Sequence, residues 1–236
     1  MRAAPAGEPD LEAPDFRHIA HWVFDLDNTL YRADNGIFAR IDARMTDFVS
    51  GHLKLERDAA RALQKSLYRD HGTTLNGLIR LYGVEPEAYL EYVHQIDLSD
   101  LKADPALEFA IERLPGRRYI FTNGCAHHAA RILDRLGLAH LFEDVWDIRS
   151  IGFAPKPDPK AYAHILAHGG FAPETSAMFD DIARNLAEPH RLGMTTVCLN
   201  TGAIWDRQGP EFPVAPARHI DHETKDLTSF LNRIRI

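Results

Sequence analysis

From residue 104 to the carboxyl terminus, short apolar runs alternate with stretches of helical periodicity, and this constrains the fold more than any other feature of the chain. A helix over Ala106–Leu114 ends at Pro115-Gly116, and a strand follows at Tyr119–Thr122. A helix over Ala126–Leu136 stops at Gly137. Val145–Ile148 reads as a strand, Pro159–His168 as a helix and Ala177–Phe179 as a strand. Asn185–Leu192 is a helix ended by Gly193, and Thr195–Leu199 is a strand. His219-Ile220 reads as a short last strand and Leu227–Ile234 as a last helix. One more apolar run, Trp22–Phe24, stands upstream in a strand over residues 19–25. Strands and helices in alternation form a parallel sheet covered on both faces. The expected fold class is therefore α/β, a Rossmann-like parallel sheet sandwiched by helices.

Between the first strand and residue 104 the pattern is purely helical. Ile37, Phe38, Ile41, Met45, Phe48 and Val49 recur at helical spacing. Ala59, Ala60, Leu63 and Leu67 mark a second helix, and Leu75, Leu78, Ile79 and Tyr82 a third, stopped by Gly83. Pro86 opens a fourth, with Ala88, Tyr89, Tyr92, Val93 and Ile96 on its apolar stripe. Such stripes form the inside of a small bundle. The chain thus reads as an α/β core, residues 18–32 and 101–236, interrupted by an all-α insert, residues 33–100. Residues 1–17 read as a mobile tail.

Chemistry-bearing residues gather at the strand ends, where open α/β sheets bind ligands. The first strand runs into two carboxylates, Asp25 and Asp27, followed by Asn28-Thr29. Asp25 can be a nucleophile that accepts a phosphoryl group, and Asp27 can give and take a proton; alone, the pair is also an ordinary acidic turn. Thr122-Asn123-Gly124 offers a hydroxyl, an amide and a close-approach glycine to a phosphate, or a plain strand-to-helix turn. Lys156 lies between Pro155 and Pro157, which restrict its backbone, and a fixed ammonium can neutralise a phosphoryl group. Asp180-Asp181, with Asn185 beyond, ends another strand and can share a hard cation with Asp25.

Taken in order, these four clusters resemble the motifs of the haloacid dehalogenase-like superfamily: Asp25-Leu26-Asp27-Asn28-Thr29, Thr122, Lys156, and Asp180-Asp181 with Asn185. The resemblance runs from about residue 19 to the end. It makes residues 33–100 similar to that superfamily's helical cap. A narrower similarity, to the pyrimidine 5′-nucleotidase group, rests on Phe24–Tyr31, on Tyr68-x-x-His71-Gly72-Thr73-Thr74-Leu75-x-Gly77-Leu78, on Phe121–Gly124 with His128-Ala129, and on Phe179–Asp181. The segments His128–Gly137 and Leu192–Thr195 are similar too.

The resemblance implies a Mg²⁺-dependent phosphomonoesterase acting on pyrimidine nucleoside 5′-monophosphates. Asp25 would be the nucleophile and Asp27 the general acid and base. Thr122, Asn123 and Lys156 would bind the phosphoryl group. Asp25, the Asp27 main-chain carbonyl and Asp181 would hold Mg²⁺, supported by Asp180 and Asn185. In the cap, Tyr68, His71, Thr74 and Asn76 are candidates for specificity, with packing of Tyr68 and helix capping by Thr74 as competing roles. Another small phosphate ester (a sugar phosphate or phosphoglycolate), a phosphomutase reaction, 2-haloacid dehalogenation and phosphate binding without turnover are the other readings.

Composition narrows the partners. Lys and Arg number 27 against 34 Asp and Glu, a net charge of −7, which argues against a nucleic-acid polymer. A small phosphorylated metabolite remains compatible, since a site can be locally positive. Neither an apolar leader nor a membrane-spanning run is visible, and the two cysteines, Cys125 and Cys198, belong to no C-x-x-C pattern. The expected setting is the cytoplasm, the thiols free and buried, the protein a monomer or homodimer. His164 and His168 are i and i+4 but lack the Glu of a zinc-hydrolase helix, so they read as solvent-facing. His128 either borders the site or caps a helix. Trp22 and Trp146 read as strand core, and Trp205 stands apart from both.

Overall fold

The computed structural model describes residues 13–200 and 218–236. Among the described residues six strands form one parallel sheet: β1 (His21–Phe24), β2 (Arg117–Phe121), β3 (Asp144–Trp146), β4 (Ser176–Asp180), β5 (Thr195–Leu199) and β6 (His222–Thr224). Their spatial order is β3-β2-β1-β4-β5-β6, and every neighbouring pair is parallel. This is the doubly wound order: the strands stay parallel, and the order in which they are added reverses between β1 and β4. Phe24 pairs with Ile120 on one side and Phe179 on the other, so Asp25, Phe121 and Asp180 end their strands at one level.

Alternation along the strands gives the sheet two buried faces. Trp22, Phe24, Ile120, Phe179 and Val197 pack with α5 (Pro105–Glu112), α6 (Ala126–Leu136) and α9 (Leu227–Arg233). Val23, Tyr119, Phe121, Met178 and Cys198 face the other way, toward α7 (Pro159–Gly169). The short α8 (Ala187–Leu192) follows β4. Asp104, Asp158 and Asp226 cap α5, α7 and α9, each side chain accepting a main-chain N–H of the first turn.

Between β1 and α5 lie four α-helices, α1 (Ile37–Leu53), α2 (Arg57–His71), α3 (Thr74–Tyr82) and α4 (Pro86–His94). Their inner residues, among them Val49, Leu67, Leu78 and Val93, join the apolar cluster of the second sheet face. α2 and α3 approach closely at Gly77, where a Cβ would lie 2.7 Å from Leu67 Cδ2. Gly83, at φ 64, then ends α3 in the left-handed conformation that L side chains resist.

Three expectations change. The amino-terminal tail, read as mobile through residue 17, is anchored at its end. Phe16 is fully buried, stacks on Trp22 at 5.8 Å, and its N–H donates to Arg235 O at 2.8 Å. One aromatic in a Pro-rich stretch carries no periodic signal, so only packing reveals its place. The rest of that tail, residues 1–12, and Trp205 lie outside the described residues. The last strand is His222–Thr224 rather than His219-Ile220, because Thr196 Oγ1 and its N–H are taken up by His219 O and Asp221 Oδ2 before pairing begins. The fourth cap helix stops at His94, and Ile96 packs into the main core instead. Among the described residues no helix is long and apolar enough to cross a membrane. Cys125 and Cys198 are buried and form no disulfide among the described residues.

Candidate active site

The site lies at the carboxyl edge of the sheet, in the crevice between β1 and β4. Asp25 follows β1 directly, its N–H held by Phe179 O at 2.8 Å. Asp180 ends β4 and is fully buried. Lys156, reaching over from the loop after β3, is 1% exposed and bridges them: Nζ donates to Asp25 Oδ1 at 2.7 Å, to Asp180 Oδ2 at 2.7 Å and to Phe121 O at 2.8 Å. An ammonium has three hydrogens, so all three are committed. Burial works against the ammonium, but Asp180 and Asp25 outweigh it and hold its pKa above the usual lysine range.

Carboxylate oxygens of Asp25, Asp180 and Asp181 lie within 4.8 Å of one another. Burial, then the neighbouring acids, pushes Asp25 and Asp181 above the ordinary carboxylate range against the pull of Lys156. Three hard oxygen donors that repel one another when charged are a fitting set for a hard divalent cation, which would relieve that repulsion. Asn185 Nδ2 donates to both oxygens of Asp180, at 3.0 and 3.1 Å, and the Asn28 amide bonds Asp181. Asn28 Oδ1 is buried and meets no hydrogen-bond partner among the described residues.

Asp27 points elsewhere. Its Oδ1 accepts from Tyr31 Oη at 2.6 Å and faces His128 Nε2 at 2.9 Å. Burial raises its pKa, but the charge and hydrogen bond of His128, together with Tyr31, leave it below the ordinary value. The side chain therefore stands apart from the acidic triad.

Thr122 is 1% exposed; its Oγ1 accepts the Gly124 N–H at 2.9 Å, which leaves the hydroxyl hydrogen to donate into the site. Asn123 clamps the lysine loop in both directions, its Nδ2 donating to Lys156 O at 3.1 Å and its Oδ1 accepting the Lys156 N–H at 2.8 Å. Of the four clusters read from sequence, all converge on one buried edge. The Asn123 side chain is spent on positioning Lys156.

The cap candidates fare differently. Thr73, not Thr74, caps α3 by accepting the Asn76 N–H at 3.1 Å. Thr74 is buried and its Oγ1 donates to Gln64 O at 3.4 Å within the bundle. Asn76 Nδ2 donates to His71 O at 2.9 Å. The Thr74 hydroxyl and the Asn76 Nδ2 thus bond main-chain carbonyls of α2. The His71 ring packs over Gly77. The Arg184 guanidinium lies over the Tyr68 ring at 4.4 Å and donates to Gly72 O at 3.2 Å.

Two residues that matter here had weak or no sequence signal. His128 does not cap α6. Asp147 does that from after β3, its Oδ2 accepting the Ala126 N–H at 2.8 Å, which leaves His128 to bond Asp27. Asp147 lies 21 residues from the N–H it caps, so no local pattern points to it. His164 and His168 stack on each other, and His168 bonds the His164 carbonyl.

A family model described as haloacid dehalogenase-like hydrolase matches residues 19–189. "Phosphate metabolism protein 8" of Saccharomyces cerevisiae is 30% identical over 205 residues, covering 79% of this chain; the chain spans 63% of that protein's length. "Glyceraldehyde 3-phosphate phosphatase" of Methanothermobacter thermautotrophicus is 23% identical over 87% of this chain and 92% of its own. The crystal structure of a phosphatase from Thermococcus onnurineus shares the fold with a TM-score of 0.58 at 21% identity, covering 92% of this chain and all of that one.

Proposed function

The chain belongs to the haloacid dehalogenase-like hydrolases, and on that premise we propose that it is a Mg²⁺-dependent phosphomonoesterase whose substrates are pyrimidine nucleoside 5′-monophosphates. The observation that carries the phosphatase reading is the Lys156 ammonium bridging Asp25 and Asp180 beside Asp181. It joins a nucleophile, a fixed positive charge and a cation-binding set in one buried place.

Asp25 attacks phosphorus in line, forming an aspartyl-phosphate as the bond to the leaving oxygen breaks. Lys156 holds Asp25 in position and offsets the charge of the phosphoryl group. The Thr122 hydroxyl donates to a phosphoryl oxygen. Asp27 gives its proton to the leaving alkoxide. It then takes one from the water that attacks phosphorus, which returns Asp25 as a free carboxylate and releases inorganic phosphate. Like charge from an approaching phosphate dianion opposes the downward pull of His128 and Tyr31 on the Asp27 carboxyl. Asp25, Asp181 and the Asp27 carbonyl, with Asp180 and Asn185 behind them, would hold a magnesium ion, whose charge would let an anionic carboxylate approach an anionic phosphate.

Pyrimidine nucleotides as the substrate class rest on the similarity of Tyr68–Leu78 and of Phe121–Ala129 to the nucleotidase group. A small sugar phosphate is the second reading, favoured by the similarity to a glyceraldehyde 3-phosphate phosphatase. Dehalogenation fits less well, because it needs no proton donor and Asp27 is held by two hydrogen bonds.

The test is phosphate release from UMP, CMP, dTMP, AMP, glyceraldehyde 3-phosphate and glucose 6-phosphate, with Mg²⁺ and with EDTA. UMP and CMP lead, and EDTA abolishes turnover. A sugar phosphate in the lead refutes the nucleotide assignment and keeps the mechanism. Mg²⁺-independent chloride release from 2-haloacids, with no phosphate release, refutes both.

A further inference from the structure

Asp27 is held in an uneven way. Both of its donors, Tyr31 Oη at 2.6 Å and His128 Nε2 at 2.9 Å, meet the same oxygen, Oδ1. No donor among the described residues reaches Oδ2. Against a carboxylate oxygen, Nε2 carries the hydrogen. A carboxyl group with two donors on Oδ1 has no room for its own hydrogen there, so Oδ2 is the oxygen left to face a leaving group.

His128 has no other visible task. Its side chain is fully buried, and Nδ1 meets no hydrogen-bond partner among the described residues. A buried imidazole with an unmet nitrogen costs free energy, and its single hydrogen bond goes to Asp27. The ring is fixed by stacking on His94, the last residue of α4, at 4.4 Å and 15° between planes. His94 is fixed in turn. Its Nδ1 lies 3.2 Å from Cys125 Sγ, and its carbonyl accepts from Arg131 Nη1 at 2.8 Å. Arg131 Nη2 also donates to Ile96 O at 2.7 Å, and Arg135 Nε to Leu98 O at 3.1 Å. The chain's return from the cap is therefore stapled along α6, the helix that carries His128.

We propose that His128 is a positioning residue for Asp27: with Tyr31 it pins Oδ1, so that Oδ2 is the oxygen that exchanges the proton with the leaving alkoxide and the attacking water, and the His94 stack sets its plane from the cap side. This rests on the phosphomonoesterase reading above. Tyr31 supplies the second donor from the turn after β1, four residues beyond Asp27.

Leaving-group chemistry separates this role from a merely structural one. An alkoxide is strongly basic and needs a proton as it departs; p-nitrophenolate departs without one. General acid catalysis contributes on the order of 10² to 10⁴. The experiment compares kcat and KM of wild type, His128→Ala and His128→Gln on UMP, β-glycerophosphate and p-nitrophenyl phosphate, all with Mg²⁺. His128→Ala lowers kcat on the two alkyl esters by about 100-fold, within that range, and leaves the single-turnover release of p-nitrophenolate within about threefold, because that step needs no proton from Asp27, while steady-state turnover of the aryl ester slows with hydrolysis of the aspartyl-phosphate. KM changes little. His128→Gln, whose amide N–H₂ takes the place of Nε2–H, restores most of the alkyl-ester rate. Release of p-nitrophenolate reports that each variant is folded. A loss in single-turnover p-nitrophenolate release equal to the alkyl-ester loss, or no recovery in His128→Gln while it still releases p-nitrophenolate, overturns the proposal and leaves the phosphatase reading in place. A wild-type protein that releases phosphate from none of the three esters overturns that reading and this inference together.

Discussion

His94 makes the native protein sensitive to mild acid by an amount that follows from its surroundings. It is 6% exposed, at the end of α4, between the His128 ring and the Cys125 thiol, with Asp27 and Arg149 close enough to act on its charge. Burial first, then the His128 imidazole, pushes its pKa from 6.5 down to about 3, against a smaller opposing pull from Asp27. In the unfolded chain His94 takes up a proton as pH falls through 6.5; in the native protein it does so only near 3. Between these values the unfolded state holds more protons, so stability falls as pH falls. From pH 7 to pH 5 the contribution is about 2 kcal/mol, at about 1.4 kcal/mol for each unit below 6.5. The control is His94→Phe, which keeps a flat ring for stacking and cannot titrate. Urea unfolding of both proteins at pH 7 and pH 5 isolates the term, because every other titrating group is common to them. Wild type loses about 2 kcal/mol more than the variant over that interval. Equal losses refute the reasoning and mean that His94 accepts a proton in the native state at ordinary values.

Other outcomes follow from the same geometry. Lys156→Met leaves Asp25 and Asp180 facing each other without a counter-charge; phosphate release falls to background, and thermal unfolding reports a loss of about 3–5 kcal/mol. Asp181→Asn removes one charge from the triad while Asp25 and Asp180 remain; isothermal titration with Mg²⁺ shows weaker binding, and the Mg²⁺ concentration for half-maximal turnover rises at least tenfold by order of magnitude. Phe16→Ala opens a cavity between Trp22 and Phe230; urea unfolding shows a loss of about 3–5 kcal/mol, whereas deletion of an unanchored tail would cost nothing.

How much of this was legible in the chain differs from element to element. The helix Ala126–Leu136 and the strand Thr195–Leu199 coincide with their sequence patterns, because apolar spacing and a terminal glycine are local signals. The strand at His222–Thr224 was misplaced, because its three residues carry no apolar alternation and their pairing is set by β5. In the site, the acids and Lys156 could be named because each sits beside a strand end or between prolines. Their partners could not be named. Lys156 lies 131 residues from Asp25 and His128 lies 101 residues from Asp27. The residue types of Thr74 and Asn76 could not show that the Thr74 hydroxyl and the Asn76 Nδ2 bond carbonyls of the preceding helix.

The sequence by itself determined the α/β class, the helical insert and the order of four polar clusters at strand ends, because strand period, helix period and chain-breaking residues act over a few neighbours. Tertiary structure alone decided that the clusters share one buried edge. It decided that Lys156 spends its three hydrogens across the gap between β1 and β4, that Asp27 turns to Tyr31 and His128, and that Phe16 closes the core. Those contacts depend on how parallel crossovers bring distant strand ends to one level and on how the cap returns along α6, and no local spacing carries that information.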